Sequence, residues 1–404
     1  MSTKIKTNKS KKIDLRIKHL SPLDAIAKRR KNLQKLLNVN LDSINTPSCT
    51  CQSACSTNCE SMIGYTQIPL GIAGPLKIAG SYAKGDFYLP LSTTEGALVA
   101  SVARGAKASQ ISPIKTHLQD IGITRAPVFT TSSLSHSQSL VDFVNKNFSK
   151  ISIITNSTSS HLTLKEIIPT ILGRNVYLRF IFDTQDAMGM NMATIATEKA
   201  TDFIEKNTSA VCIALSANLC VDKKPSWQNF ILGRGKKVQA EITISQKTLK
   251  SIFKTNIDSL VELNYRKNLL GSALSGSLGF NAHYANIASA IFIATGQDPA
   301  HVVEAAQGIT TVEKIDKNTL YFSVYLPNLI IGTVGGGTKL ATQSTALQIL
   351  NITPKTSHPT LTFAEIIASA ILSGELSLLS ALASKDLAKS HLLLARNNKL
   401  TNKT

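Results

Sequence analysis

Asp186-Ala-Met-Gly-Met-Asn-Met192 follows closely on Val176-Tyr-Leu-Arg-Phe-Ile-Phe182, a run whose β-branched and aromatic residues predict a strand. A strand that leads to a carboxylate and then a glycine places backbone N–H groups, an acceptor and soft apolar side chains in one turn. That combination suits a dinucleotide, which offers a flat ring to pack, a ribose to hydrogen-bond and a pyrophosphate to approach closely. Taken alone, the same turn reads equally as a strand-to-helix connection whose methionines fill a core.

Around this turn, residues 127–214 alternate strand and helix signals. Strands are predicted near Ser152–Ile154, Val176–Phe182 and Val211–Leu215, and helices over Leu164–Leu172 and Thr194–Lys206. The result is a compact α+β unit small enough to be an insertion. Upstream, residues 1–60 read as a basic tail, a helical segment at Pro22–Leu37 and a Ser/Thr/Cys-rich linker. Residues 61–126 begin a larger unit. There Ile68-Pro-Leu-Gly-Ile-Ala-Gly-Pro75 carries turn punctuation, and Ser92-Thr-Thr-Glu-Gly-Ala-Leu-Val-Ala-Ser101 predicts a helix start with Glu95 in its first turns. Residues 215–404 complete that unit, with long helical patterns at Lys267–Thr295 and Thr362–Arg396 and a basic end.

A chain of 404 residues with 43% apolar and 17% charged residues is globular and long enough for two or three domains. Its formal net charge of +19 suits anionic partners, but much of the lysine is dispersed and one cluster falls in the first 36 residues. A single Trp argues against an aromatic-stacking nucleic-acid platform. No apolar run is predicted to span a bilayer, because Ile287–Thr295 is short and Ile366–Ala383 is interrupted by Ser373, Gly374 and Glu375. The expected setting is the cytoplasm. Cys49, Cys51, Cys55 and Cys59 lack paired C-x2-C knuckles and a neighbouring His, so they predict a reduced loop and no metal site.

Four ionisable positions stand out. Glu95 lies in a Gly/Ser/Thr-rich helix start. Asp222-Lys223-Lys224-Pro225 sets two ammonium groups side by side, which disfavours full protonation and suits one lysine to oxyanion stabilisation. Asp298 follows Gly296-Gln297 at the end of an apolar helix, and His391 stands in Lys389-Ser-His391 on a helical pattern where it could act as an acid. Each also has a plain structural role open to it, as cap, turn residue, surface charge or helix-face histidine. Gly332-Thr-Val-Gly-Gly-Gly-Thr338 could hug a phosphate or form a tight turn, and it is not G-x-G-x-x-G.

From about Met62 to Arg396 the chain resembles the catalytic portion of class I 3-hydroxy-3-methylglutaryl-CoA (HMG-CoA) reductases. The resemblance rests on Ile63-Gly-Tyr65, Ile68–Leu76, Thr93-Thr-Glu-Gly96, Asp186–Met192, Asp222–Pro225, Gly332–Thr338, Gly374-Glu-Leu-Ser-Leu378 and Lys389-Ser-His391, all in the family's order. It implies NADPH-dependent reduction of HMG-CoA to mevalonate and CoA. Lys223 would stabilise the oxyanion, His391 protonate the CoA thiolate, Glu95 protonate the aldehyde oxygen and Asp298 tune Lys223 and Glu95. Implied substrate contacts are Ser101, Arg104, Arg125, Ser216, Asp222, Lys224, Lys267, His283, Asn286 and Leu378. Implied cofactor contacts are Asp186, Met188, Gly189, Met190, Asn191, Val334, Gly335 and Arg396.

The resemblance also implies an α+β fold. A large helical substrate domain would carry an inserted small ferredoxin-like cofactor domain at 127–214. A homodimer or homotetramer would share each active site between protomers, without a membrane span or nucleic acid. The chain departs from the family where a Ser-Arg-Phe run approaches the NADP 2′-phosphate: Ser159-Ser160-His161 stands there. The missing Arg removes a phosphate partner, leaves NADH possible and makes Lys165 a candidate substitute. Two other readings remain open at this point, NAD-dependent mevalonate oxidation on the same fold and a basic nucleic-acid-binding protein.

Overall fold

The computed structural model describes residues 20–37, 54, 55 and 57–384. His391, Arg396, Cys49 and Cys51 lie outside the described residues. The strands are β1 (Leu70–Ala79), β2 (Lys84–Ser92), β3 (Lys115–Arg125), β4 (Val128–Thr130), β5 (Thr163–Leu172), β6 (Asn175–Asp183), β7 (Val211–Ala214), β8 (Gly235–Ser245), β9 (Gly279–Phe280), β10 (Gly308–Asp316) and β11 (Thr319–Leu329). The principal helices are α1 (Pro22–Leu37), α2 (Leu98–Ser109), α3 (Leu134–Lys146), α4 (Phe148–Asn156), α5 (Met190–Asn207), α6 (Tyr284–Thr295) and α7 (Pro359–Ala383). The larger of two sheets has nine strands in the order β7-β4-β6-β3-β8-β11-β10-β9, with β5 outside β6.

Two hydrophobic cores meet across β3. Its Lys115–Gly122 portion pairs antiparallel with β8, and Ile123–Arg125 pairs antiparallel with β6. Between Val128 and Ala214 the elements run β-α-α-β-β-α-β, with all strand pairs antiparallel. This stretch buries its own core of Phe129, Leu140, Val144, Val176, Phe180 and Phe182. The inner face of α5, with Met190, Ala193, Thr197, Ala200 and Ile204 at helical spacing, closes over it.

Two local expectations here are corrected. Ser152–Ile154 belongs to helix α4, not to a strand, because Ile151 and Thr155 are buried at i, i+4 spacing while Ile153 faces out. Leu164–Leu172 forms strand β5, not a helix. Pro169 would break a helix interior, and β5 pairs only with β6, so the missing N–H costs no ladder bond on the open side.

The larger unit is less helical than expected, since β8 to β11 form its half of the nine-stranded sheet. Lys267–Thr295 is not one helix. A π-helix at Asn264–Gly271, a short turn and β9 precede α6, and Gly276 takes a positive φ of 68° between them. Helix α7 threads this core with 20 of its 25 residues buried. It packs on α2 at Gly105, where a Cβ would stand 1.9 Å from the Ser373 carbonyl oxygen. By length and composition α7 could cross a membrane, contrary to the sequence expectation, but 83% of its most apolar window is buried inside the protein. Its two acids serve the backbone. Glu365 accepts from the N–H groups of Ser81, Tyr82 and Ala83, and Glu375 accepts from those of Ala282 and His283 at the start of α6.

Candidate functional site

The loop after β7 carries Asn218, Val221 and Lys223 at positive φ of 62°, 50° and 56°. Bulky residues in that region cost free energy, so the surroundings must hold the loop in place. Lys223 Nζ lies 2.7 Å from Asp298 Oδ2, across the joint between α6 and the short helix at Pro299–His301. The hydrogen bond that Lys223 donates to Asp298, opposed by partial burial, holds the Lys223 ammonium above its ordinary value. Burial would raise the Asp298 carboxyl, but bonds from Lys223 and the Ala300 N–H, with His301 nearby, bring it below the ordinary carboxylate value. The pair is therefore a lysinium–carboxylate over a broad range of pH.

Behind the pair runs a buried polar chain that the sequence reading missed. Arg234 donates to Glu304 Oε1 at 2.6 Å, Thr124 Oγ1 at 2.9 Å and Met190 Sδ at 2.9 Å, and forms an ion pair with Asp222 Oδ1 at 2.9 Å. Glu304 Oε2 in turn meets His301 Nδ1 at 2.6 Å. Arg234, His301 and Glu304 are fully buried. One signal was readable: Asp298, His301 and Glu304 recur every third residue in a segment of helical propensity, which brings their side chains together.

Gly189 ends the Asp186 turn as the N-cap of α5 with φ 84°, and a Cβ there would meet Thr184 Cγ2 at 2.3 Å. Opposite, Gly332–Thr338 lies against this turn: Ala187 and Val334 form a parallel bridge and Thr333 N–H bonds the Asp186 carbonyl. The Asp186 carboxylate is engaged by a helix N-terminus. Its Oδ1 accepts from the Thr360 N–H at 3.2 Å, in the first turn of α7, where a negative charge complements the helix dipole. Residues 187–192, Gln297–Pro299, Gly332 and 334–338, with Thr57 and Asn58, line one cleft of about 560 Å³. Met188, Gly189, Met190, Asn191, Val334 and Gly335 all border it, as does Asp298. A Cβ at Gly335 or Gly336 would meet nothing within 4 Å, so the glycine loop leaves an open cradle beside the methionines. Cleft size, exposed loop backbone and soft apolar wall fit a dinucleotide.

Other expected contacts fall into three groups. Arg125, at the end of β3, donates to Thr194 Oγ1 at 2.7 Å and to Ser216 Oγ at 3.2 Å, so these two predicted anchors are neighbours. Ser101 and Arg104 meet on one face of α2, where both bond Ser377 of α7 one residue before half-buried Leu378. His283 and Asn286 start α6, held by Glu375, and the buried His283 Nε2 has no hydrogen-bond partner among the described residues. Lys224 and Lys267 are exposed.

Glu95 does not lie in the first turns of a helix as expected. It is exposed in the turn before α2, which starts at Leu98 after Ala97 at φ 75°, and its carboxylate has no partner among the described residues. Lys165 is not poised for a phosphate either, because its Nζ is engaged by the Asp120 and Ile121 carbonyl oxygens. Ser159 does reach the cleft wall, with its Oγ 3.5 Å from Met192 Sδ, and His161 Nδ1 pairs with Gln185 Oε1 at 3.0 Å.

Comparison with known proteins agrees with this geometry. The family model for hydroxymethylglutaryl-coenzyme A reductase matches residues 25–396. The chain is 48% identical over 375 residues to the 3-hydroxy-3-methylglutaryl-coenzyme A reductase of Methanocaldococcus jannaschii, covering 91% of this chain and 92% of that protein. It is 43% identical over 388 residues to 3-hydroxy-3-methylglutaryl coenzyme A reductase 1 of Cannabis sativa, covering 93% of this chain and 66% of the plant protein. In fold it is similar to the class II enzyme of Streptococcus pneumoniae solved with NADPH, with a TM-score of 0.65 at 18% identity, over 89% of this chain and 97% of that one. The chain belongs to the HMG-CoA reductase family.

Proposed function

We propose that the protein reduces HMG-CoA to mevalonate and CoA with two equivalents of NADPH. The observation that carries this reading is the Lys223–Asp298 pair at 2.7 Å, whose carboxylate borders the cleft lined by the Asp186–Met192 turn and the glycine loop. NADPH supplies a hydride to the carbonyl carbon in each of the two reductions. Lys223, kept cationic by Asp298, donates a hydrogen bond to the carbonyl oxygen and stabilises the negative charge that develops there in the tetrahedral intermediate. Arg125 and Ser216 present donors for the substrate's terminal carboxylate. His391 then protonates the departing CoA thiolate, and Glu95 or Lys223 gives the proton that ends aldehyde reduction.

Glu95 is exposed and unpartnered within one described chain, which supports a site completed by a second protomer, in a dimer or tetramer. Leu70, Ile72 and Tyr88, each more than half exposed on the β1–β2 hairpin, offer apolar surface for that contact. The unit at 127–214, with its ferredoxin-like succession of elements, is the cofactor domain. Placement in class I is supported by the Met-Asn-Met ending of the cleft turn and by 43% identity to a plant reductase, against 18% to a class II enzyme. Among the described residues the one long apolar helix, α7, has 83% of its most apolar window buried in the core. The ratio of kcat/KM for NADPH and NADH tests the direction and the cofactor together. NADPH preference with mevalonate as product supports the reading; strong NADH preference favours mevalonate oxidation.

A further inference from the structure

We propose that His301 is a positioning residue that cross-links Glu304 and Asp298, and thereby fixes the carboxylate that holds Lys223. The inference rests on the reductase reading of the Lys223–Asp298 pair. His301 is fully buried, its Nδ1 lies 2.6 Å from Glu304 Oε2, and its Nε2 faces Asp298 Oδ2 at 3.9 Å with no hydrogen-bond partner among the described residues. A buried ring nitrogen left unpaired is costly, and a small shift of Asp298 as substrate draws Lys223 into the cleft would close that last gap.

Charge counting points the same way. Three carboxylates converge here, from Asp222, Asp298 and Glu304, against the two cations Arg234 and Lys223. His301 lies among these charges and turns one ring nitrogen to each flanking carboxylate, Nδ1 to Glu304 and Nε2 to Asp298. Asp222, His301 and Glu304 could also be read as a cation site, their ligand atoms lying within 4.8 Å of one another. Arg234 already bridges Asp222 and Glu304, so its guanidinium is the cation of that cluster. Through Arg234 the chain also reaches Met190 in the cleft turn, which links the lysine loop to the cofactor wall.

The test compares His301→Gln with His301→Met in the full chain. The two side chains are of similar length, and only the amide keeps N–H donors. His301→Met is expected to lower kcat roughly 10- to 100-fold, the scale of one hydrogen bond to a charged group. Both KM values should stay near those of the unsubstituted protein, and His301→Gln should recover most of kcat. A second readout needs no turnover. Acylation of Lys223 by acetic anhydride, followed by peptide mass spectrometry, should be several-fold faster in His301→Met, because a released Asp298 no longer holds the ammonium. His301→Asn, too short to span both carboxylates, replaces His301→Met should the latter not fold. Equal kcat in all variants, a loss confined to KM, or no rescue by Gln would overturn the proposal. An unsubstituted protein without reductase activity would instead sink the reductase reading, and the acylation result would still judge the role of His301.

Discussion

Gly332 packs against Met188 so tightly that a Cβ on it would stand 2.4 Å from the Met188 backbone nitrogen. The contact presses the glycine loop onto the cleft turn and leaves the loop's outer face open. Gly332→Ala must push two backbones apart, at a cost of roughly 1–3 kcal/mol. The KM for NADPH should rise with the loss in stability. Gly335→Ala meets no atom within 4 Å but sits at φ 78°, so it should cost about 1–2 kcal/mol through backbone strain alone. Thermal unfolding and cofactor titration of the two variants separate clash from strain.

Asp298→Asn should move the alkaline limb of kcat/KM to lower pH. The bond donated to Asp298 is the leading cause that raises Lys223, so removing the negative charge lets the ammonium lose its proton earlier. For stability the signs differ at the two ends. The lowered Asp298 carboxyl contributes above its unfolded value, about 4, and that contribution is lost as pH falls through the folded value. The raised Lys223 contributes below its unfolded value, about 10.4, and is lost as pH rises through the folded one. Acid and alkaline melts of the variant and the unsubstituted protein should converge at both extremes and differ between them.

Glu375→Gln should destabilise the fold without a selective effect on cofactor use. One carboxylate oxygen accepts from His283 N–H at 2.7 Å, while the other accepts from Ala282 N–H at 2.9 Å and Thr310 at 2.7 Å. An amide replaces one acceptor by a donor and faces it with an N–H, a loss of roughly 1.5–3 kcal/mol for a charged bond. Chemical denaturation measures it.

Asp186→Ala distinguishes the capping role seen here from a direct cofactor contact. Removal of the Asp186 carboxylate from the first turn of α7 should cost about 0.5–2 kcal/mol of stability. An unchanged unfolding midpoint with a large rise in the KM for NADPH would contradict the capping role.

Several features were legible from residue pattern alone. Helix α1 matches its predicted span, β6 extends it by a residue at each end, and α5 begins four residues before the predicted Thr194. Local pattern failed where tertiary contacts decide. Leu164–Leu172 looks helical by composition, yet Pro169 and pairing with β6 make it an edge strand. The cleft turn was found from its glycine and methionines, but the task of Asp186 depends on Thr360, 174 residues away. Lys223 and Asp298 were each singled out, while their meeting depends on how the loop after β7 meets the segment that follows α6. Arg234, His301 and Glu304 escaped notice because burial, which turns ordinary charges into a network, is invisible in a single sequence.

The most direct test of the central claim is HMG-CoA-dependent loss of NADPH absorbance, with mevalonate and CoA quantified, in the unsubstituted chain and in Lys223→Ala. The account predicts two NADPH consumed per mevalonate formed. It also predicts a fall in kcat on the order of 100- to 1000-fold on loss of Lys223, with unfolding unchanged. A folded Lys223→Ala variant that keeps substantial turnover, or an unsubstituted protein that forms no mevalonate, would contradict it.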